Sequence, residues 1–112
     1  MTHYLCEVDE VTASGKEVCL QSESGLTYIM LFQHAGSIRA FLNVCPHQGQ
    51  SLNWAPDQFL FTPDKLLVCA QHGATFELAT GNCVDGPCRG AKLQAVNIRI
   101  EDRGIWLEQE TA

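Results

Sequence analysis

Two short segments constrain this chain more than anything else in it. The first reads Cys45-Pro46-His47-Gln48-Gly49 and the second Cys69-Ala70-Gln71-His72-Gly73. Each opens on a cysteine, places a histidine two or three positions later and continues with glycine. Together they offer one set of two thiolates and two imidazoles. Soft sulfur with borderline nitrogen suits zinc or iron–sulfur chemistry, not calcium or magnesium. Structural zinc sites commonly pair two cysteines in one half and two histidines in the other. Here each half mixes the two. Two irons with two open positions each can take such mixed halves, one residue type to each metal.

The surroundings of these segments read as β structure. Ile38, Ala40, Leu42 and Val44 alternate with Arg39, Phe41 and Asn43, the period of a strand with distinct faces. Leu26 to Phe32 is a second strand, rich in Ile, Tyr and Phe. His34-Ala35-Gly36-Ser37 joins the two as a hairpin turn, with Gly36 free to take positive φ. Near the C-terminus Val96, Ile98 and Ile100 alternate with polar neighbours, Asp102-Arg103-Gly104 turns, and Ile105-Trp106-Leu107 returns. Glu17 to Gln21 and Lys65 to Cys69 are shorter strands. Helical turns are expected only near Glu7–Val11 and Leu52–Asp57. Many short strands punctuated by Gly and Pro predict an all-β domain. Its Cys-, His-, Pro- and Gly-rich middle, about 43–89, forms a loop-built subdomain inserted in an antiparallel scaffold. A length of 112 residues suits a single domain over 1–112.

Acidic residues outnumber basic ones by 13 to 7, a net charge of −6. Phosphate backbones would repel such a chain, so nucleic acid is not an expected partner, whereas a basic protein surface is. No basic start followed by an apolar stretch marks a signal peptide. The longest apolar run, Tyr28 to Phe32, is too short to span a bilayer. The expectation is a cytoplasmic protein without membrane contact, whose six cysteines are thiols and metal ligands, not disulfides.

The pair Cys45-x-His47 and Cys69-x-x-His72, each followed by its glycine, resembles the signature of Rieske iron–sulfur proteins. A downstream Gly86-Pro87 matches in position and order the Gly-Pro loop that covers the cluster in that family. The resemblance covers nearly the whole chain. It implies a Rieske fold holding one [2Fe–2S] cluster, with Cys45 and Cys69 on one iron and His47 and His72 on the other through Nδ1. The histidine iron would lie nearest the surface, where electrons leave. Gly49 and Gly73 would let the backbone approach the cluster sulfides closely.

This sequence departs from the family in places. The 21 residues from 48 to 68 separate His47 from Cys69, a few more than is usual. The excess falls in Trp54 to Asp64, expected as a surface excursion with its own small apolar cluster. High-potential members carry Ser and Tyr hydroxyls where this chain has Ala74 and Phe76. They also carry a disulfide between the ligand loops, for which Gln50 and Ala70 or Gln71 provide no cysteine. Both differences resemble low-potential ferredoxins, so a value near the lower end of the Rieske range, about −150 to +300 mV, is expected.

Cys6 and Cys19 read as buried free thiols. Cys83 and Cys88 bracket the Gly-Pro loop without an expected disulfide, and Cys88 is expected to pack near the cluster. His3 and His34 read as terminal and turn residues, Trp54 and Trp106 as packing residues, with Trp54 near the docking face.

The resemblance suggests a one-electron carrier between a flavin-dependent reductase and a terminal oxygenase, not an enzyme, with no catalytic residues of its own. An oxygenase subunit would need a second, mononuclear iron site, and the 40 residues after His72 contain no histidine. The competing readings are a Rieske-type small subunit of a larger oxidoreductase such as nitrite reductase, and a structural zinc module.

Overall fold

The structure, a computed structural model, describes residues 2–22, 25–46, 51–70, 73–87 and 89–108. Its strands are β1 (Thr2–Glu7), β2 (Lys16–Ser22), β3 (Gly25–His34), β4 (Ser37–Leu42), β5 (Leu60–Phe61), β6 (Leu67–Val68), β7 (Thr75–Phe76), β8 (Cys83–Asp85), β9 (Ile98–Glu101) and β10 (Gly104–Glu108). They form three sheets of order β1-β10-β9, β2-β3-β4 and β5-β6-β7-β8, and every pairing between them is antiparallel. Among the described residues there is no α-helix. The expected all-β class is observed.

The apolar run in β3 explains how the sheets stack. Ile29, Met30, Leu31 and Phe32 are all fully buried. Successive strand residues face opposite ways, so a strand buried at four consecutive positions must be covered on both faces. Ile29 and Leu31 join Leu5, Cys6, Val11, Ala40 and Ile105 in a core shared with the β1-β10-β9 sheet. Met30 and Phe32 join Phe41, Leu52, Leu67, Phe76, Leu93 and the cysteines at 45, 69 and 83 in the other. The β2-β3-β4 sheet is therefore the middle layer.

That double burial also alters the reading of β4. Alternation placed Ile38, Ala40, Leu42 and Val44 on one face and Arg39, Phe41 and Asn43 on the other. Ala40 is buried as expected, but so is Phe41 on the opposite face, and Val44 lies beyond the strand with 46% of its surface exposed. Likewise Val96 is not part of the C-terminal hairpin. Its N–H donates to Ala40 O at 3.0 Å, which pairs this segment with β4.

The turns follow local chemistry. Ala35 and Gly36 have φ of 51° and 81°, and the flanking His34 and Ser37 pair. This two-residue, left-handed loop matches the twist of a hairpin. Asp102 and Arg103 adopt the same signs, so Gly104 begins β10 instead of turning. The segment Val8–Glu10 is a 3-10 turn closed by a capping box between Glu7 and Glu10. Leu52–Asp57 is not helical. Ala55 and Gln58 bridge around a tight turn with Asp57 at φ 61°. Of Lys65–Cys69 only Leu67–Val68 is strand, because Thr62 to Leu66 form a turn closed by Thr62 N–H on Leu66 O.

Candidate metal centre

The small β5-β6-β7-β8 sheet carries the second cysteine segment. Its register places Phe61, Leu67, Phe76 and Cys83 on one face and Leu60, Val68, Thr75 and Asp85 on the other. The first face closes over Met30, Phe32 and Phe41. Cys69 leaves β6 directly into this core, and Cys45 leaves β4 into it from the other side. Both are 1% exposed.

The second cysteine segment is closed by its own backbone. Cys69 N–H donates to Ala74 O at 2.7 Å and Gly73 N–H to Cys69 O at 2.9 Å. Gly73 has φ +79°, yet no atom lies within 4 Å of where a Cβ would be. Its requirement within the protein is conformational. The first segment is closed by a side chain. Asn43, 2% exposed, receives Leu52 N–H on Oδ1 at 2.8 Å, joining the residues before and after the loop. Ala70 N–H then donates to Leu52 O at 2.9 Å, which ties one cysteine loop to the other.

The Gly-Pro loop rests on the second cysteine loop. At Gly86, φ +100°, a Cβ would sit 2.7 Å from Ala74 Cα and 3.2 Å from its N and Cβ. Only glycine allows this backbone approach. Asp85 Oδ1 accepts Gly86 N–H at 2.9 Å, and Arg89 N–H donates to Gly86 O at 3.2 Å. Pro87 is exposed at the tip.

His47, Gly49, Gln50, Gln71, His72 and Cys88 lie outside the described residues. So does any pairing of Cys83 with Cys88; Cys83 Sγ donates to Asp85 O at 3.3 Å. The described half of the donor set fits a metal or cluster. Two cysteine sulfurs belong to one apolar core, where uncompensated thiolates would carry a heavy desolvation penalty and a cation relieves it. Ala74 and Phe76, both fully buried, add apolar wall without a hydroxyl.

Several expectations need correction. Cys6 is buried but Cys19 is exposed, paired with the likewise exposed Tyr28. Trp54 is not packed: 61% of its surface is exposed. Trp106 does pack, edge-on to Tyr4 with ring centres 5.2 Å apart. Trp54 to Asp64 has no separate apolar cluster. Phe59 and Phe61 set their rings edge-on to Phe32 at 5.0 and 5.9 Å. The residue that sequence reading missed is Asn43, which was placed only as an alternating strand position beside Arg39 and Phe41. Its place two residues before Cys45 was the available signal.

Fold and site together define an antiparallel β domain with two buried cysteines in the core between its middle sheet and its sheet of short strands. The chain belongs to the Rieske [2Fe–2S] domain family, whose sequence model matches residues 1–100. A search of curated proteins gave no match. Among solved structures the chain is similar to the ferredoxin of carbazole 1,9a-dioxygenase from Nocardioides aromaticivorans IC177, with TM-score 0.73 and 17% identity over 98% of this chain and 99% of that one. It is similar also to the Sphingomonas yanoikuyae B1 ferredoxin, with TM-score 0.72 and 22% identity over 98% and 100%. The terminal oxygenase of carbazole 1,9a-dioxygenase from Novosphingobium sp. KA1 gives TM-score 0.74 and 22% identity, over 99% of this chain but 31% of that one. Among the described residues no helix is long and apolar enough to cross a membrane.

Proposed function

We propose that this chain is a ferredoxin-type electron carrier, a single domain holding one [2Fe–2S] cluster on Cys45, Cys69, His47 and His72. The observation that carries the reading is the burial of Cys45 and Cys69 in one core beneath two cross-tied loops. When bound, the cluster takes up and gives out one electron. Cys45 and Cys69 would hold its inner iron, and His47 and His72 the outer one. Phe76, Ala74 and Leu52 keep water from the sulfur side. Gly86 and Pro87 cover the second loop.

The likeness to both ferredoxins spans their whole length, whereas the oxygenase is matched over less than a third. The likeness to two ferredoxins supports the carrier reading. Its partners would be a flavin-dependent reductase and a terminal oxygenase. Pro46, Val44, Trp54 and Pro87 are exposed around the ligand loops, and apolar surface beside a redox site suits transient docking. The donors among the described residues support a low potential: the Val44, Cys69, Ala70 and Gly73 N–H groups donate to carbonyls, and Ala74 and Phe76 offer no hydroxyl to a reduced cluster.

Visible absorption and EPR before and after dithionite, on anaerobically purified protein, test this reading. A red-brown protein with a reduced [2Fe–2S] signal of low average g is expected. His47→Ala and His72→Ala should each abolish it. A colourless protein with one stoichiometric zinc and no iron, from iron-replete cells, would overturn it.

A further inference from the structure

The tie between the cysteine loops does not end at Asn43. Leu52 N–H can only donate, so it fixes Asn43 Oδ1 as the acceptor and turns Nδ2 toward β2. There one Nδ2 hydrogen bond goes to Glu17 Oε2 at 2.8 Å and another to Asn53 Oδ1 at 2.8 Å. Asn53 Nδ2 in turn donates to Ala55 O at 2.9 Å. Both Nδ2 hydrogens of the buried Asn43 amide are thus used, and its Oδ1 accepts one bond. A carboxylate on β2 is connected through it to Leu52, and through Leu52 O to Ala70 N–H, the residue after Cys69. The Asn43 bonds to Asn53 and Leu52 are buried and the bond to Glu17 is part-buried, so water screens the charge less than at an open surface, and hydrogen bonds in series polarise one another. Glu17 is itself held in place, because its N–H donates to Asp57 Oδ1 at 2.7 Å.

We propose that Asn43 is a positioning residue that couples the Glu17 carboxylate to both ligand loops, and that the Glu17 charge thereby lowers the reduction potential of the cluster. This rests on the electron-carrier reading. A fixed negative charge disfavours adding an electron, so it stabilises the oxidised state. Structural hydrogen bonding alone would not require the charge, only the acceptor oxygen, and that separates the two roles.

Glu17→Gln keeps an acceptor oxygen for Asn43 Nδ2 and removes the charge. The control is Glu101→Gln, which removes an equal charge from β9, a strand with no residue in the cysteine core. Potentials are measured by EPR-monitored titration of the cluster-loaded full chain at low ionic strength, where screening is weak. Glu17→Gln should raise the reduction equilibrium constant about tenfold, about 59 mV for a one-electron couple. Glu101→Gln should change it far less. In an Asn43→Ala background, adding Glu17→Gln should produce no further rise, the non-additivity of a coupled pair. Equal shifts in Glu17→Gln and Glu101→Gln would overturn the proposal, as would a full Glu17→Gln rise that persists without Asn43. If Asn43→Ala does not fold, the comparison of the two Gln variants decides alone. Absence of a [2Fe–2S] signal in the wild-type protein would instead overturn the carrier reading and take this proposal with it.

Discussion

Gly73 and Gly86 flank the second cysteine loop for different physical reasons, and substitution should tell them apart. Both have positive φ, which costs a residue with Cβ about 1–2 kcal/mol. At Gly73 that is the whole penalty, since the Cβ position is open. At Gly86 the Cβ would also collide with Ala74 backbone, and overpacking adds about 1–3 kcal/mol. Denaturant unfolding should therefore show Gly86→Ala less stable than Gly73→Ala by at least about 1 kcal/mol. Equal losses would mean that the Gly-Pro loop does not rest on Ala74 in solution. Cys6 supplies a second test at this scale. Burial, with Glu10 adding to it, pushes its thiol from 9.0 to about 11. A raised pKa means that the folded state holds the proton more tightly. The stabilisation is present in full below pH 9 and is lost as pH rises toward 11. The melting temperature should fall across that window, and Cys6→Ala should show a shallower fall. Parallel curves for the two proteins would count against a buried Cys6 thiol.

At the scale of elements, the hairpin between β3 and β4 is tighter than its sequence favours. Ala35 occupies a left-handed position, φ 51°, ahead of Gly36. Asn is much better suited there, and Asn-Gly is the preferred pair for such a loop. Ala35 is exposed, so Ala35→Asn should raise stability by about 0.5–1 kcal/mol in chemical denaturation. A loss would show that the loop is not left-handed at both residues. This hairpin was legible from its Gly and its flanking apolar runs, as were β2 and β10. The limits of that legibility lie in tertiary cover. Phe41 and Val44 were assigned by alternation within one strand, but which faces are buried depended on the small sheet closing over Met30 and Phe32. Phe59 and Phe61 were read as a detached cluster because nothing local tells an aromatic that Phe32, far away in the chain, lies beneath it. The cysteine spacing showed that a site existed. It did not show that Asn43 closes the first loop, since a buried amide is defined by partners on other elements. The same contrast can be measured. Phe32→Ala should cost about 3–5 kcal/mol, while Trp54→Ala, on the same excursion as Phe59 but exposed, should stay within about 0.5 kcal/mol of wild type. A large loss at Trp54 would mean that its ring packs in solution.

For the whole molecule, the two cores stand in unequal relation to the proposed metal centre. The core between the β1-β10-β9 and β2-β3-β4 sheets contains no described residue from 43–89. Its apolar contacts come from residues before Asn43 and after Arg89, which pair along strands of four to ten residues. The other core contains Cys45, Cys69 and Cys83 and is roofed by strands of two or three residues. Strands that short bury little surface and close few ladder hydrogen bonds, so the roof depends on what its loops are fastened to. On the proposed ligation, removing iron would leave Cys45 and Cys69 as buried thiols and take away one of the links between the loops. Stability should then fall unevenly. Hydrogen exchange on cluster-free protein, prepared with acid and chelator and returned to neutral pH, should show lost protection at the amides of Leu52, Cys69 and Cys83. Those of β10 and of the middle of β3 should remain protected close to the holoprotein level. The middle sheet is where the two outcomes meet: Ile29 and Leu31 face the core that persists, Met30 and Phe32 the core that loosens. Collapse of protection in all three sheets together would mean that the cores fold as one cooperative unit. Unchanged protection at Cys69 and Leu52 would mean that the hydrogen bonds through Asn43 and Ala70 hold the loops without any metal.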